Sequence, residues 1–373
     1  MRIYLAGNPS MYDYQEDYDR LYGLAKSAGL YHLKVLASFV DPKHFDSVVD
    51  RRNELFGSFS EKQEIFLDSG AFSVWKSGKD IDIEAYRDFI DERIKDIKVA
   101  VNLDVIPSNR DGSRATRKQM DIAFEKGLEN FKYLSENTKL PKDRWIHVFH
   151  KNDDYKYFER ILALGITYIG LAPGQGTSLT QRLAFLDKCM DYVTDSKGYP
   201  IVKFHGFAVT GTKEMLTYPW YSVDSTSWVL LGAYGKIMIP KIINGKYNYT
   251  ERPYTVAITR RSNAKQSKGQ HYENLTVTQR ELVDRYVEEL GFKYGVTEFK
   301  IVDRDYKLKS NERWDAAYPD GLSKRRVEII VEKGLLNEYK LRAQLNAKFM
   351  FEVEARNKIE YFEQKHKYRK LFI

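Results

Sequence analysis

The chain has 373 residues, of which 43% are hydrophobic, a formal net charge of +8 at pH 7 and one cysteine, Cys189. This hydrophobic content is enough to form a core, which excludes an intrinsically disordered protein. A single cysteine excludes a disulfide framework and a zinc site made of several thiolates. With no long apolar run and no N-terminal signal pattern, the sequence predicts a cytoplasmic protein without a membrane span.

Eight short apolar runs recur along the first two thirds of the chain, as expected for buried strands. They are Ile3–Ala6, Leu33–Ala37, Ile65–Leu67, Val99–Leu103, Trp145–Phe149, Tyr168–Leu171, Ile201–Phe204 and Tyr221–Val223. Stretches with helical periodicity lie between them, the clearest at Ile83–Ile94, Arg114–Leu134, Tyr155–Leu164 and Leu179–Val193. Alternating strands and helices predict a parallel sheet, and eight such units predict an α/β fold of the (β/α)8 TIM-barrel type over residues 1–236.

Residues 237–373 show a different pattern and are predicted to form a basic, mainly helical C-terminal extension. Lys236–Tyr254 predicts a hairpin with a turn at Asn244-Gly245. Thr278–Glu281 has the spacing of a capping box that opens a helix through Leu290. The segment from Arg325 to the end is predicted to form one or two amphipathic, lysine-rich helices.

The positive charge is concentrated in this extension. From Glu251 onward the chain has 26 Lys and Arg and 19 Asp and Glu, so this region carries a net +7 of the total +8. A basic surface attracts polyanions, and a nucleic acid is the expected partner. The alternative is a solvated basic face that binds none. The candidate phosphate-binding residues form two clusters: Arg260, Arg261, Lys265 and Lys268, and Lys324, Arg325 and Arg326.

Polar residues directly follow most of the predicted strands. They are Asp68, Asp104, His150, Pro173–Gly176, His205 and Asp224. In a barrel the carboxyl ends of the strands form one rim, where enzymes of this fold have their active sites. Two carboxylates at such a rim can share nucleophilic and acid–base roles in cleaving a glycosidic bond. For Asp68 and Asp224 the alternative is to cap the helix that follows.

Two of these segments resemble signature motifs of the tRNA-guanine transglycosylase superfamily. The segment from Asp68 to Ser73, Asp-Ser-Gly-Ala-Phe-Ser, is similar to the motif Asp-Ser-Gly-Gly-(Phe/Tyr)-Gln. The segment from Asp224 to Trp228, Asp-Ser-Thr-Ser-Trp, is similar to the Asp-Ser-Ala-Ser-Tyr segment that carries the nucleophile in the archaeal branch. These enzymes exchange a guanine base for a 7-deazaguanine. The resemblance covers roughly the first two thirds of the chain.

The resemblance implies a role for each rim residue. Asp224 is the implied nucleophile, which forms a covalent aspartyl–sugar intermediate, and Asp68 is the implied general acid and base. Ser69, Gly70 and Phe72 are implied to bind substrate, with Phe72 stacked on the base. A core position is the alternative for Phe72.

Further positions are implied to contact the base. Asp104 resembles the aspartate that hydrogen-bonds the base edge, and Gly170 the glycine whose backbone faces the base. His150 occupies a position where the family usually has glutamine, and a histidine can still hydrogen-bond a purine. His205 is a candidate pocket residue, with a satisfied core histidine as the alternative.

Two departures bear on the polymer substrate. The usual zinc site of three cysteines and a histidine cannot form after Asp224, because the chain has one cysteine. A small C-terminal β-domain of the archaeal kind is not recognisable either. The branch that lacks these parts includes DNA-modifying enzymes of phages and genomic islands. The resemblance therefore implies a pentosyltransferase without a cofactor that replaces guanine in DNA with a free 7-deazaguanine base, in the host cytoplasm if phage-encoded. Action on tRNA is the alternative, and the oligomeric state stays open.

Two other functions compete with this interpretation. Met1–Gly7 resembles the first strand of nucleoside deoxyribosyltransferases, which also break N-glycosidic bonds through a carboxylate. Those proteins are much shorter and have a flavodoxin-like fold, which does not account for the polar residues from Asp68 to Asp224. The other alternative is a non-catalytic barrel that only binds nucleic acid, for which neither aspartate is needed.

Overall fold

The computed structural model describes residues 1–7, 14–56, 63–77, 80–106, 115–174, 177–259, 270–315 and 323–356. They group into two compact units. The first contains Met1–Thr226 and the described residues from Glu354, and the second contains Ser227–Val353. The division thus falls after Thr226, whereas the sequence placed the boundary between residues 236 and 237.

The first unit contains a closed barrel of eight parallel strands that pair in chain order. The strands are β1 (Arg2–Ala6), β2 (Leu33–Ser38), β3 (Gln63–Asp68), β4 (Ile97–Val101), β5 (Trp145–His150), β6 (Tyr168–Ala172), β7 (Lys203–Gly206) and β8 (Ser222–Ser225). The barrel closes where Arg2 to Leu5 of β1 pair with Ser222 to Ser225 of β8. The predicted (β/α)8 barrel is confirmed, and β7 begins at Lys203 instead of Ile201.

Helices occupy the connections between the strands. They are α1 (Gln15–Ser27), α2 (Pro42–Phe56), α3 (Ala71–Ser77), α4 (Ile83–Glu92), α5 (Arg117–Asn137), α6 (Tyr155–Ala163), α7 (Leu179–Val193) and α8 (Thr212–Thr217). Side chains fix several of the helix starts: Thr116 and Ser178 form capping boxes at α5 and α7. The four helices predicted most clearly are confirmed, with ends shifted by at most three residues.

Alternation along the strands gives the barrel an apolar floor and a polar rim. Phe66, Val148 and Tyr168 belong to one buried cluster inside the barrel. Because side chains in a strand point alternately to opposite faces, the residue two positions later faces the same interior. Asp68 follows Phe66 in this way, and His150 follows Val148, so both reach the carboxyl-end rim above the buried cluster.

The second unit is a mixture of helices and short strands. In chain order it contains α9 (Ser227–Ala233), β9 (Lys236–Ile239), β10 (Lys241–Ile243), β11 (Lys246–Asn248), β12 (Tyr254–Ala257), α10 (Val277–Glu289), β13 (Val296–Asp303), β14 (Glu312–Trp314), β15 (Lys324–Glu332) and most of α11 (Tyr339–Arg356). The predicted hairpin is confirmed: β10 and β11 pair around Asn244 and Gly245, whose φ angles of 51° and 74° suit a two-residue turn.

Two predictions for the extension are wrong in detail. The capping box of α10 uses Thr276 with Gln279, two residues before the predicted Thr278. Lys324–Glu332 is a strand, β15, and not a helix, because Arg325, Val327, Ile329 and Val331 alternate with period two and are mostly β-branched. This strand pairs on both sides, with β13 and β14. The extension is therefore not dominated by helix, although α11 confirms a helix near the C-terminus.

Candidate active site

Asp68, Asp104, His150 and Asp224 meet at the carboxyl end of the barrel. Asp68 and His150 are the last residues of β3 and β5, Asp224 lies in β8, and Asp104 follows β4. The charges of Asp104 and Asp224 both act on Asp68, and His150 contacts Asp104 directly. Residues separated by more than 150 positions in sequence thus form one polar cluster, as the strand-end argument predicted.

Asp224 is held through one of its two oxygens. Its Oδ1 accepts a hydrogen bond from the backbone amide of Ala208 at 2.9 Å and lies 3.2 Å from Nε2 of His205, within hydrogen-bond distance. Its Oδ2 has no hydrogen bond to the described part of the chain, and the side chain is 10% exposed. The helix-capping alternative predicted acceptor contacts to the amides of Ser225 and Thr226, and the observed contacts are to other residues. Asp224 is a carboxylate with one fixed oxygen and one uncommitted oxygen.

His205 is fully buried beside Asp224. Its ring lies against Phe66 and Phe207, at 4.6 Å between centroids in each case, and Nδ1 is 2.7 Å from Oγ of Ser222. Burial lowers the pKa of His205, and contact with Asp224 only partly offsets this effect. Both ring nitrogens have hydrogen-bond partners, as the alternative of a satisfied core histidine predicts. The contact of Nε2 with Asp224 also makes His205 a neighbour of the rim carboxylates.

The Ala208 amide that contacts Asp224 comes from a strained backbone position. Ala208 has φ of 52°, which is uncommon for a residue with a Cβ. Its carbonyl accepts a hydrogen bond from Arg182 at 3.2 Å, and Arg182 pairs with the buried carboxylate of Glu214 at 2.6 Å. Arg182 and Glu214 therefore hold Ala208 in the conformation that directs its N–H at Asp224.

Asp68 is a carboxyl group with an unusually high proton affinity. Burial, together with the charges of Asp104 and Asp224, raises the pKa of Asp68 to about 7, although hydrogen bonds from the amides of Gly70 and Ser69 oppose the shift. The Gly70 amide is 3.1 Å from Oδ2. A carboxyl group that titrates near neutral pH can both give and take a proton, which is the property required of a general acid and base.

The turn after Asp68 depends on glycine and exposes an aromatic side chain. Gly70 has φ of 79°, and a Cβ there would lie 2.6 Å from Cγ1 of Val40. Ser69 is buried, and its Oγ has no hydrogen-bond partner among the described residues. Phe72 is 43% exposed, which excludes the core alternative for this ring. The helix that follows this turn thus presents an exposed aromatic side chain four residues after Asp68.

His150 is bound between two carboxylates. Its Nε2 is 2.9 Å from Oδ2 of Asp104, and its Nδ1 is 3.3 Å from Oδ2 of Asp153. Burial acts to lower the pKa of His150, but its hydrogen bonds and charge interactions with Asp104 and Asp153 outweigh this and raise the pKa to about 10. The imidazolium uses both N–H groups within the protein. It therefore orients Asp104, and in this state it has no N–H left for a base.

Gly170 lies in the middle of β6, where its missing side chain makes room for a neighbour. A Cβ at Gly170 would lie 2.3 Å from Cε2 of Phe207 and 2.9 Å from Cγ2 of Ile146. The space beside this glycine is filled by the ring of Phe207, which covers part of the barrel floor next to His205.

The two predicted basic clusters have different outcomes. Arg260, Arg261, Lys265 and Lys268 lie outside the described residues, as do Gln175 and Gly176. In the second cluster Arg326 pairs with the buried Asp315 at 2.7 Å, and Arg325 stacks on Trp314 with its guanidinium carbon 4.0 Å from the ring centre. Lys324 is exposed and makes no ion pair with another described residue. Lys324 and Arg325 retain charge for a partner, whereas the charge of Arg326 is already compensated.

Sequence reasoning missed the residues that hold the rim in place, namely Tyr168, Arg182, Ser222, Asp153 and Ala208. Two of them had a recognisable signal. Ser222 precedes Asp224 by two positions on the same strand face, and Asp153 follows His150 by three positions in the loop after β5. The contacts of Tyr168, Arg182 and Ala208 depend on tertiary structure alone.

No family model matches the chain, and a comparison with curated proteins found no match. Within the described ranges, no helix is long and apolar enough to cross a membrane. The same ranges contain no cluster of three or more His, Cys, Asp or Glu side chains suited to a metal ion.

We expect Asp68→Asn to increase stability at high pH. The folded-state pKa of about 7 lies above the reference value of 3.8, so the folded state loses stability as pH rises through this interval. The amide removes this cost and can still accept from Gly70. Urea unfolding should show the variant more stable than wild type by on the order of 2–4 kcal/mol at pH 8, and nearly equal to it at about pH 3.5. Asp305→Asn, at an exposed site, is the control; an equal difference at both pH values would contradict the raised pKa.

We expect the opposite pH trend for His150→Gln. The folded-state pKa of His150 is raised from 6.5 to about 10, so its contribution to stability is complete below pH 6.5 and declines as pH rises towards 10. The variant should be less stable than wild type by about 3 kcal/mol at pH 6.5, and the gap should narrow by on the order of 2 kcal/mol by pH 9. Urea unfolding at several pH values measures the gap. His32→Gln, at an exposed position, controls for loss of an imidazole, and a gap that stays constant with pH would refute a protonated His150.

Proposed function

We propose that this protein is a base-exchange transglycosylase of the tRNA-guanine transglycosylase superfamily, a pentosyltransferase that replaces guanine in DNA with a 7-deazaguanine. One observation carries the proposal. Asp224, whose Oδ2 has no hydrogen bond to the described residues, shares a barrel rim with Asp68, whose pKa of about 7 suits a proton donor and acceptor. A double displacement at a glycosidic carbon needs these two functions from two carboxyl groups.

In the first half-reaction, Oδ2 of Asp224 attacks C1′ of the target nucleotide. The new O–C1′ bond forms as the bond from C1′ to N9 of guanine breaks, and the bonding electrons leave with the base. The proton of Asp68 neutralises the departing guanine. The products are an aspartyl–sugar ester, free guanine and an ionised Asp68, so charge and atoms balance.

In the second half-reaction, the incoming 7-deazaguanine gives its N9 proton to Asp68 and attacks C1′. The ester bond breaks, and Asp224 returns as a carboxylate. Asp68 ends protonated, ready for another turnover. One glycosidic bond is exchanged for another, so the overall reaction requires no ATP.

Recognition of the base is assigned to Asp104 and Phe72. Asp104 contacts the His150 imidazolium through Oδ2, which leaves Oδ1 as an acceptor for ring and exocyclic N–H groups. The exposed Phe72 offers a face for stacking. Because His150 is already bound at both nitrogens, its proposed part in recognition is indirect, through the orientation of Asp104.

The polymer is proposed to be DNA, and a free 7-deazaguanine base is the second substrate. A guanine in a duplex must be turned out of the base stack to reach a barrel rim, which costs a few kcal/mol. Phosphate contacts from a basic surface can offset that cost, and the region after Glu251 carries most of the excess positive charge. Guanine exchange in tRNA is the alternative within the same reaction class.

The competing functions have less support. A nucleoside deoxyribosyltransferase of the flavodoxin-like kind would have an open sheet, whereas this chain forms a closed barrel. A protein that only binds nucleic acid has no use for a carboxyl group held at a pKa of about 7 beside two further carboxylates.

We expect Asp224→Asn to abolish exchange of radiolabelled guanine into duplex DNA, because an amide is a poor nucleophile. Loss should exceed 1,000-fold, equivalent to roughly 4 kcal/mol of transition-state stabilisation. Wild type incubated with DNA and no free base should form a band of protein-linked DNA in denaturing gels, and Asp224→Asn should not. Asp68→Asn should also lose exchange, because the departing guanine then receives no proton.

Asp187→Asn, on α7 and outside the rim cluster, controls for the change of an aspartate to an amide. Full exchange activity in Asp224→Asn would refute the mechanism. Running the assay in parallel on duplex DNA, single-stranded DNA and tRNA tests the polymer. Exchange in tRNA and never in DNA would overturn the choice of polymer while the reaction class stands.

We expect the pair Lys324→Gln and Arg325→Gln to weaken DNA binding and to flatten its salt dependence. Removing each phosphate-binding charge should reduce the slope of log K against log salt by about 1. Fluorescence anisotropy over a salt series measures the slope. Lys142→Gln with Arg144→Gln removes the same charge at the amino end of β5, opposite the rim, and is the matched control. Equal slopes in wild type and in the Lys324 and Arg325 variant would exclude this cluster as a phosphate-binding surface.

A further inference from the structure

A chain of three buried side chains leads from the barrel interior to Asp224. The hydroxyl of Tyr168 is 2.5 Å from Oγ of Ser222, Ser222 is 2.7 Å from Nδ1 of His205, and Nε2 of His205 is 3.2 Å from Oδ1 of Asp224. Adjacent strands supply its members, because Ser222 pairs with His205 across β7 and β8. Tyr168 and Ser222 are the first residues of β6 and β8, at the ends of these strands away from the rim.

The hydrogen atoms in this chain can be assigned from chemistry. An ionised carboxylate only accepts, so Nε2 of His205 must carry a proton to contact Asp224. Burial keeps the ring neutral, which leaves Nδ1 without a proton and able to accept only. The single hydroxyl proton of Ser222 then points at Nδ1, and the Tyr168 hydroxyl donates to Ser222. One direction of donation, from Tyr168 to Asp224, satisfies every group.

We propose that Ser222 and Tyr168 are positioning residues that fix His205 in its Nε2–H tautomer, so that Asp224 is held ionised through Oδ1 with Oδ2 left to react. This inference rests on the proposed role of Asp224 as nucleophile. The opposite tautomer would place the lone pair of Nε2 against Oδ1, which is repulsive unless Asp224 is protonated and therefore inactive. A hydroxyl that donates to Nδ1 excludes that state.

The same donors also suit the covalent intermediate. After Oδ2 has formed the ester, Oδ1 is its carbonyl oxygen, and it keeps the N–H groups of His205 and Ala208. When the ester breaks, negative charge returns to Oδ1, and both donors stabilise that charge. The chain therefore acts on both half-reactions without touching the sugar or the base.

Titratable groups on neighbouring strands also face this chain of side chains. Asp224 interacts with the charge of Asp68 from β3. Tyr4 of β1 packs near His205, and Arg2 and Glu64 act on Tyr168. None of these groups is hydrogen-bonded to His205, so loss of the Ser222 hydroxyl leaves Nδ1 of His205 without its donor.

The test combines a spectroscopic and a kinetic measurement on the whole protein. Nitrogen-15 NMR of histidine-labelled protein, with His205→Gln to assign the signal, should give the Nε2–H tautomer in wild type and a mixed or altered tautomer in Ser222→Ala. Formation of protein-linked DNA should be slowed by 10- to 100-fold in Ser222→Ala, and the acidic limb of its pH profile should move up by about one unit, because Asp224 becomes easier to protonate. Ser222→Thr should restore both.

Tyr168→Phe should also slow adduct formation and shift the acidic limb upward, but by less than Ser222→Ala. The double variant should show no larger effect than Ser222→Ala alone, since both residues belong to one hydrogen-bonded chain. Ser135→Ala, a buried hydroxyl on α5 outside the site, is the control and should leave the limb unchanged. An Nδ1–H tautomer in wild type, or a Ser222→Ala variant with an unshifted limb, would overturn the inference. Absence of any adduct in wild type would instead refute the proposed function, while the tautomer measurement still decides the assignment.

Discussion

The rim depends on the cost of placing several carboxyl groups close together in a partly buried space. Asp68, Asp104 and Asp224 lie at the carboxyl end of one barrel, where burial and the charges of Asp104 and Asp224 raise the pKa of Asp68. The protein resolves this by giving each a different partner. Asp104 is paired with an imidazolium, and Asp224 is bound by two N–H donors. Asp68 accepts hydrogen bonds from backbone amides, and its pKa stays near neutrality. The three carboxyl groups are chemically equivalent, but their different partners suit them to different proposed roles.

Two histidines serve this separation in opposite protonation states. His150, between Asp104 and Asp153, is held as a cation, whereas the fully buried His205 is held neutral. The cation compensates the charge of the proposed base-binding carboxylate. The neutral ring donates one hydrogen bond to the proposed nucleophile without forming a full ion pair, which preserves the reactivity of Asp224. If His205 were charged and His150 neutral, the positive charge would compensate Asp224, the proposed nucleophile, instead of Asp104.

Three features of the structure bear on the proposed function. The two N–H groups of His150 are used inside the protein, so the proposed recognition of the base relies on Asp104 and on stacking. Phe207 fills the space beside Gly170, which makes the floor of the barrel more apolar. In the second unit, Asp315 compensates the charge of Arg326. Counting basic residues in the sequence therefore overestimates the number of positive charges in this cluster that can bind a phosphate.

The sequence by itself determined the barrel, because buried strands and amphipathic helices have distinct periodicities that survive without tertiary context. It also located Asp68, Asp104, His150 and Asp224 at one rim, since the carboxyl ends of parallel strands converge. The prediction of a helix at Lys324–Glu332 was wrong. This segment is a strand in which charged residues alternate with β-branched ones, and the charged residues obscured the strand pattern. Only the tertiary structure decided which oxygen of Asp224 is held, which histidine is charged and which hydroxyls stand behind His205. Those properties arise from contacts such as that of Tyr168 with Ser222, across 54 positions of sequence, and no local pattern encodes them.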